Sequence, residues 1–503
     1  MIKDFLKDMV RYLPAQIVPG IVGFISIPII TRLFPPGDYG NYSVVMTTVM
    51  LLTTLLGWLP ISIIRFYPAY ERDKKLGFFY GNIIDLTFIS IVIITLIFLI
   101  TLFCTKDYLS SKLYLFMYVG IGVFVVTAVF DVPQYFLMSR RQVNWYGGFV
   151  IWRSIGTLGI ALLLIFFFNR GIESFLWGAI VSVVIILPLL WRKALESAPS
   201  LHFKIDPSST KEMAKYSFPL VAGNLAAWIL NLSDRYILEF FRGALEVGIY
   251  SASYNIAHHT VMSVVSLFML ASGPISMHIW EKQGEPKSKE YVNKITRYYL
   301  MASIPIAMEL SVLSKPIINI MTGEQYFEGY EIIPFVTAGI FLLGLQQRFL
   351  AGFLYYKRTS FVILGIIAAG LLNLSLNFLF VPKYGYFAAA ITTFISYTFL
   401  LFLMIILSRR LFVWTFPFKS LVKVTCASAI MGMVVYYLGN RLIPYTLINL
   451  IFCIFLGGLI YFVLLFLLRE IQPEEKEEMK QVLKVSVGWL NSRKVKSFKN
   501  YIP

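Results

Sequence analysis

Apolar residues run through this chain in blocks of about 20, and short polar segments separate the blocks. A block of this length is long enough to cross the hydrocarbon core of a membrane as a helix. Fourteen blocks can be placed, at 10–33, 39–64, 77–104, 113–138, 146–168, 171–192, 214–240, 247–278, 293–320, 330–356, 361–380, 385–408, 418–439 and 446–469. The pattern therefore predicts an all-α polytopic membrane protein with about 14 transmembrane helices.

The second part of the chain repeats short motifs of the first. Three pairs of matching segments lie 204, 208 and 217 residues apart: 7–12 with 211–216, 40–43 with 248–251, and 140–141 with 357–358. Offsets that drift slowly indicate a duplication with insertions in loops, which is how many transporters are built. Each copy holds six spans, an even number, so both copies have the same orientation. Two six-helix bundles related by a pseudo-two-fold axis along the membrane normal are expected.

This repeat predicts the domain organisation. The N-terminal six-helix bundle is placed at 1–192, a cytoplasmic linker at 193–213 and the C-terminal six-helix bundle at 214–410. Two additional transmembrane helices follow at 411–469, and a cytoplasmic tail occupies 470–503. The tail could form a short surface helix at the inner leaflet, or it could be a plain solubilising tail.

Basic residues are unevenly distributed among the predicted loops. With the N-terminus inside, 32 of the 44 Lys and Arg fall in cytoplasmic segments and eight fall in outer loops and helix ends. Membrane proteins concentrate Lys and Arg on the cytoplasmic side. Both termini are therefore expected in the cytoplasm.

Composition supports the membrane interpretation. The 503 residues are 58% hydrophobic and only 14% charged, whereas soluble domains carry roughly 25% charged residues. A net charge of +17 would suggest nucleic acid as the partner of a soluble chain, but cytoplasmic loops account for it here. Cys104, Cys426 and Cys453 lie in or at the ends of apolar runs, so neither a disulfide framework nor a metal site is predicted.

Two arginines within the spans are the main candidates for substrate binding. Ionisable residues at membrane depth are costly and usually face a cavity. Arg153 and Arg348 are expected to face a central cavity between the bundles, where a planar guanidinium would match the oxygens of a phosphate. Asp131 and Arg348 occupy equivalent positions of the repeat. The alternative is internal ion pairing, for instance of Arg153 with Asp131, which would bind nothing.

Three further arginines are weaker candidates for substrate contact. Arg65 lies nearer the inner surface and could simply extend its head group to the interface. Arg32 and Arg235 end their helices near the outer face. Asp234 could pair with Arg235 locally, so a structural role is favoured for these two.

Five other ionisable residues could serve ion coupling or form ion pairs in the cavity: Asp85, Asp131, His258, His259 and Glu309. The histidines could titrate near neutral pH, although a satisfied polar residue inside a bundle is at least as common. The sequence has neither a phosphate-cradling glycine loop nor a His/Cys cluster with metal spacing. No cofactor is predicted, and coupling to H⁺ or Na⁺ is left open.

Four stretches of the chain carry motifs that are specific in order and spacing. They are TRLFPPGDYGNY at 31–42, KYSFPL at 215–220, SDRY at 233–236 with VGIYSASY at 247–254, and NLSLNFLFVPKYGY at 373–386 followed by three alanines. These stretches resemble the oligosaccharide flippases, the polysaccharide-transport branch of the multidrug/oligosaccharidyl-lipid/polysaccharide exporter superfamily. The stretch that marks peptidoglycan-precursor flippases is not found.

The resemblance implies a non-enzymatic flippase of the bacterial inner membrane. It would move undecaprenyl-pyrophosphate-linked oligosaccharide by alternating access, for O-antigen and lipopolysaccharide, capsule or exopolysaccharide assembly. The implied partners are this polyprenyl-linked glycan, membrane lipids, a glycan polymerase and a chain-length regulator, without nucleic acid.

Two other functions were weighed against the flippase. A cation or drug antiporter of the same superfamily would place net acidic charge at cavity depth, and here three acids nearly balance two arginines, so this function stays open. A membrane glycan polymerase would need a large outer loop, and none is predicted.

Overall fold

The computed structural model describes residues 2–197, 200–203, 205–441, 446–472 and 475, with side chains from Leu13 onward except those of Ala271 and Asn440. Almost all of this part is helical, and no strand occurs in it. The helices are α1 (Ile2–Leu33), α2 (Pro36–Leu56), α3 (Trp58–Arg72), α4 (Leu76–Cys104), α5 (Ser111–Ser139), α6 (Val143–Phe168), α7 (Ser174–Leu195), α8 (Pro207–Leu232), α9 (Asp234–Arg242), α10 (Ala244–Val312), α11 (Ser314–Met321), α12 (Ile333–Phe349), α13 (Ala351–Tyr355), α14 (Ser360–Ser408), α15 (Phe418–Arg441) and α16 (Leu447–Leu467). The predicted all-α polytopic fold is confirmed.

Eleven helices among the described residues are long and apolar enough to cross a membrane. Two of them, α10 and α14, contain a sharp turn at Gly284 and Gly385, where φ is +77° and +57°. Only glycine adopts such angles readily, so each segment consists of two helices and holds two of the predicted spans. The segment at 207–232 is not among the eleven and carries Lys211, Glu212 and Lys215 in its first half. Together these segments represent the fourteen predicted spans.

The helices extend further than the apolar blocks. The block at 39–64 contains most of α2 and the first half of α3, which continues to Arg72. The helix α8 begins at Pro207, inside the predicted linker, where the Asp206 carboxylate accepts a hydrogen bond from Ser209 N at 3.0 Å. An acidic N-cap followed by proline is a favourable helix start. Hydropathy predicts only the membrane-embedded part of a helix, whereas the backbone hydrogen bonds of the helix continue into the neighbouring polar residues.

The first and second copies of the repeat meet in a reciprocal contact between α2 and α10. A Cβ atom at Gly40 would overlap the carbonyl oxygen of Ala244, and a Cβ atom at Gly248 would overlap that of Pro36. Gly40 corresponds to Gly248, and Pro36 to Ala244, by the 208-residue offset. Ser43 and Ser251 are related by the same offset, and their hydroxyls form a hydrogen bond of 2.8 Å. Such a contact, in which residue i of one copy meets residue j of the other and j meets i, is typical of a two-fold axis. We call this contact the glycine seam, and the end of the bundle at which it lies the Leu33 end.

The last two helices pack on the outside of the second bundle, with α15 between α10 and α16. Arg297 of α10 donates hydrogen bonds to Glu470 Oε1 at 2.8 Å and to Glu475 Oε1 at 2.6 Å. The beginning of the predicted tail is therefore tied to the bundle. The remainder of the tail, including the predicted surface helix, lies outside the described residues.

Candidate functional site: a polar cavity inside the bundle

A cavity of about 600 Å³ lies between α1, α2, α5, α6 and α7, and residues of α8, α9 and α10 close its remaining side. Four of the ionisable residues singled out from the sequence line it: Asp131, Arg153, Arg235 and His259. These residues come from four different helices and from both copies of the repeat. The fold therefore brings together side chains that are more than 100 residues apart in sequence, at a depth where polar groups are costly.

Arg153 lies ten residues inside α6 and points into this cavity. Its Nη2 donates to Thr127 Oγ1 at 3.0 Å, and the guanidinium carbon lies 5.0 Å from the ring centroid of Phe130. About 31% of the side chain is exposed. A guanidinium carries five N–H donors, and among the described residues Arg153 donates hydrogen bonds only to Thr127 and Asp131. Its other N–H donors are available to an anion in the cavity.

Asp131 is a carboxylate that pairs with Arg153. Its Oδ1 lies 3.5 Å from Arg153 Nη1, and 35% of the aspartate side chain is exposed. The ion pair that the sequence analysis held as an alternative is thus present. It is long and open to the cavity, and an exposed pair of this kind contributes about 0–1 kcal/mol to stability. Pairing here does not remove the arginine from the cavity.

Arg235 lines the same cavity from the first turn of α9 but is only 3% exposed. Its Nη1 donates to Asp234 Oδ1 at 3.0 Å, and its guanidinium carbon lies 4.8 Å from the ring centroid of Tyr254. The hydroxyl of Tyr250 donates to the other carboxylate oxygen of Asp234. Asp234 therefore does pair with Arg235, as the sequence analysis anticipated. Two aromatic rings and a carboxylate hold this arginine in place.

The two histidines lie on α10 where it faces α1. His259 lines the polar cavity, and its ring is close to Gly23, where a Cβ atom would lie 3.5 Å from Cε1. The His258 ring stacks on Tyr254 with centroids 5.7 Å apart. Both histidines also line a second hollow of about 500 Å³ between α1 and α10. His259 thus connects the two hollows, whereas His258 belongs to the aromatic stack beside Arg235.

Arg348 does not line the polar cavity, so the expectation that it shares one cavity with Arg153 is corrected. It is 6% exposed on α12, and its Nη1 donates to Ser272 Oγ at 2.9 Å. Its Nε has no hydrogen-bond partner in the described part of the chain. Tyr299 packs 5.7 Å from its guanidinium. Arg348 is therefore buried beside Ser272 and Tyr299, away from the cavity that Arg153 lines.

The remaining candidates lie away from the polar cavity. Arg65 is exposed on α3 beside the rings of Phe66 and Tyr216. Arg32 donates to the carbonyl of Ile320 at 2.6 Å and ties α1 to α11. These geometries agree with interfacial and structural roles.

Two acids also lie outside this cavity. Asp85 is half-buried on α4. Glu309 faces α16, where its Oε1 is buried near Gly457 and has no hydrogen-bond partner among the described residues. Neither contributes charge to the cavity that holds Arg153.

Uncharged polar and aromatic residues, which are not among the candidates predicted from the sequence, complete the lining. Both polar atoms of the Gln134 amide are buried without a hydrogen-bond partner within the described ranges. Tyr39 accepts a hydrogen bond from Asn255 at 3.1 Å, and Tyr42 stacks against Tyr39. The sequence signal for Tyr39 and Tyr42 was their place in the stretch at 31–42, whereas Gln134 gave none. An amide and several hydroxyls can both donate and accept hydrogen bonds.

Comparison with known proteins gives a consistent result. A family model described as "Polysaccharide biosynthesis protein" matches residues 5–280. The chain is 23% identical over 420 residues to the capsular polysaccharide biosynthesis protein CapF of Staphylococcus aureus, covering 79% of this chain and 96% of the relative.

Two solved structures share the fold. The lipid II flippase MurJ in an inward closed conformation superposes with a TM-score of 0.73 at 16% identity, covering 92% of this chain and 99% of that one. An inward-facing multidrug resistance transporter of the MATE family, in the MOP superfamily, gives a TM-score of 0.65 at 11% identity, covering 79% and 97%. At these identities the likeness concerns the fold alone.

Proposed function

The chain belongs to the polysaccharide biosynthesis protein family, and we propose that it is a flippase for undecaprenyl-pyrophosphate-linked oligosaccharide, serving O-antigen, capsule or exopolysaccharide assembly. The family match over residues 5–280 and the flippase-like fold support transport of a lipid-linked glycan. The proposal adds the chemical nature of the carrier lipid and the route through the protein.

The observation that carries the proposal is the polar cavity with Arg153 in its wall. A pyrophosphate cannot cross hydrocarbon unaided, because burying its charge is too costly. The guanidinium of Arg153 can offer a bidentate fork to two phosphate oxygens. Gln134 and the tyrosines can form hydrogen bonds with sugar hydroxyls. The cavity thus matches the two polar parts of the proposed substrate.

Transport would proceed by alternating access, in which two bundles rock around a fixed central site. The glycine seam closes the bundle at the Leu33 end, which the distribution of Lys and Arg assigns to the outer face. Separation of α2 from α10 at this seam would open the cavity outward. In this orientation both termini face the cytoplasm, and the family match supports a location in the bacterial inner membrane.

Arg153→Ala tests the proposal. Purified protein in liposomes should move a labelled polyprenyl-pyrophosphate sugar, and the variant should lose this activity to background while keeping normal folded yield. Arg153→Lys should restore part of the rate, because an ammonium keeps the charge and loses the bidentate geometry. Arg65→Ala, an exposed arginine outside the cavity, is the matched control. Wild-type transport by Arg153→Ala would refute the role of this residue, and failure of the wild-type protein to move any polyprenyl-linked sugar would refute the function.

A further inference from the structure

A third hollow, larger than the two described above, lies on the opposite face of α2 from the polar cavity. It has a volume of about 870 Å³, and α2, α4, α5, α8 and α9 form most of its wall. Lining residues recur along α4 from Ile94 to Leu102 and continue at Thr105, which follows its last residue, so the hollow follows that helix for about 16 Å. Leu55, Ile97 and Phe240 of the wall are exposed. We call this hollow the apolar groove.

The wall of the apolar groove offers few free polar atoms. Thr48 Oγ1 and Tyr236 OH share a hydrogen bond of 2.6 Å, and Trp228 Nε1 donates to the carbonyl of Thr47 at 3.3 Å. The hydroxyls of Thr101 and Thr105 donate to backbone carbonyls of α4 four residues earlier, each at 2.9 Å. Nearly all remaining wall residues are aliphatic or aromatic. The groove therefore suits an apolar body of considerable size.

Glu239 is the exception in this wall. It lies on α9 three residues before Arg242, which ends the helix, so it is about 5 Å from the helix end. Its Oε2 is buried and has no hydrogen-bond partner within the part of the chain that the structure describes. The two arginines of α9 are engaged elsewhere: Arg235 with Asp234 at 3.0 Å and Arg242 with Glu246 at 2.7 Å. Glu239 is thus an acid at one end of an apolar groove, without a basic partner in the described ranges.

Charge complementarity identifies the occupant. An unpaired carboxylate in apolar surroundings is costly, and a cation beside it would relieve that cost. Tyr236 and Phe240 lie within one turn of Glu239 on α9 and line the same groove, and aromatic rings can stabilise a positive charge by cation–π interaction. We propose that the apolar groove binds an amphipathic cation, a bulky apolar molecule with a quaternary or delocalised positive charge, with the charge at Glu239 and the apolar body along α4.

This site goes beyond the proposed glycan transport and is separate from it. Met46 and Thr47 of α2 line the polar cavity, whereas Val44 and Thr48 of the same helix line the apolar groove. The carboxylate of Glu239 would repel a pyrophosphate rather than bind it. A glycan carrier and an amphipathic cation would therefore occupy opposite faces of α2. Binding of the cation does not require transport of the glycan.

Two ions of nearly the same shape and opposite charge provide the test. The full-length protein in detergent is titrated with tetraphenylphosphonium and with tetraphenylborate, and bound ion is measured by equilibrium dialysis against detergent alone. We expect saturable binding of one tetraphenylphosphonium per chain, at least tenfold tighter than binding of tetraphenylborate. Equal affinity for the two ions would identify the groove as a plain contact for lipid chains and would overturn the proposal.

Variants locate the binding in the groove. Glu239→Gln keeps the shape of the side chain and should reduce the affinity for tetraphenylphosphonium at least tenfold. The affinity for tetraphenylborate should rise by less than tenfold. Glu324→Gln, which removes an exposed acid outside the groove, is the control and should bind as the wild type does. Leu55→Trp fills the groove without changing charge and should also weaken binding of tetraphenylphosphonium. This second variant tests the site independently if Glu239→Gln folds poorly. Unchanged binding in Glu239→Gln and Leu55→Trp would refute the site.

Discussion

Two arginine–aspartate pairs beside one cavity have the same chemistry but differ in distance and in burial. Arg153 and Asp131 are 3.5 Å apart, and about a third of each side chain is exposed. Arg235 and Asp234 are 3.0 Å apart, and their side chains are 4% and 1% exposed. The first pair belongs to the open wall of the N-terminal bundle. The second lies where the two copies of the repeat meet.

The difference indicates that burial, more than residue type, decides what an intramembrane arginine can do. A buried pair that loses one partner leaves an uncompensated charge, so it must stay together. The Arg235–Asp234 pair is further fixed by Tyr250 and Tyr254. A pair that faces a water-filled cavity exchanges partners at little cost. Only the first pair is therefore suited to release its arginine to a substrate.

Loss of the buried carboxylate should give the largest effect. Asp234→Ala leaves Arg235 buried without its partner and is expected to destabilise the protein by about 3–5 kcal/mol. Thermal unfolding of the purified protein, together with folded yield, measures this change. Asp131→Ala is the matched control and should cost less than about 1 kcal/mol. Equal destabilisation by the two substitutions would contradict the distinction between the pairs.

Disturbing the glycine seam should have the next largest effect. Gly40→Ala places a Cβ atom against the backbone carbonyl of Ala244, which cannot move aside as a side chain could. Overpacking of this kind typically costs about 1–3 kcal/mol. Gly37→Ala lies in the same helix with no atom within 4 Å of the added Cβ, and it should be neutral or slightly stabilising. Unfolding temperatures of the two variants, compared in one detergent, check this. A Gly40→Ala protein as stable as Gly37→Ala would show that the copies do not meet here.

The smallest change in stability should come from the cavity pair. Asp131→Asn removes the charge beside Arg153 and keeps the shape, so the free energy of unfolding should change by less than about 1 kcal/mol. The substrate concentration for half-maximal transport should fall, because the guanidinium no longer has this carboxylate 3.5 Å away to compete with phosphate. Transport assays in liposomes at several substrate concentrations measure it. A rise in that concentration, with folded yield unchanged, would mean that Asp131 itself contacts the substrate.

The helices and the repeat could be predicted from the sequence because both depend on local or linear patterns. Apolar blocks reflect membrane thickness, and motifs 208 residues apart reflect duplication. Even the seam was present in the sequence, since the repeated motif at 40–43 and 248–251 supplies the glycines and serines that meet there. The pairing of Arg235 with Asp234 was also predictable, because the two residues are adjacent in the chain.

The identity of the cavity residues depended on tertiary structure. Helix rise gives the depth of a side chain but not the direction in which it points. Arg153 and Arg348 are both deep within their spans, yet of the two only Arg153 lines the polar cavity, whereas Arg348 is buried beside Ser272 and Tyr299. Gln134 carries no charge and gave no signal. The sequence alone determined which residues cross the membrane and at what depth, whereas packing between distant helices decided which of them share a cavity.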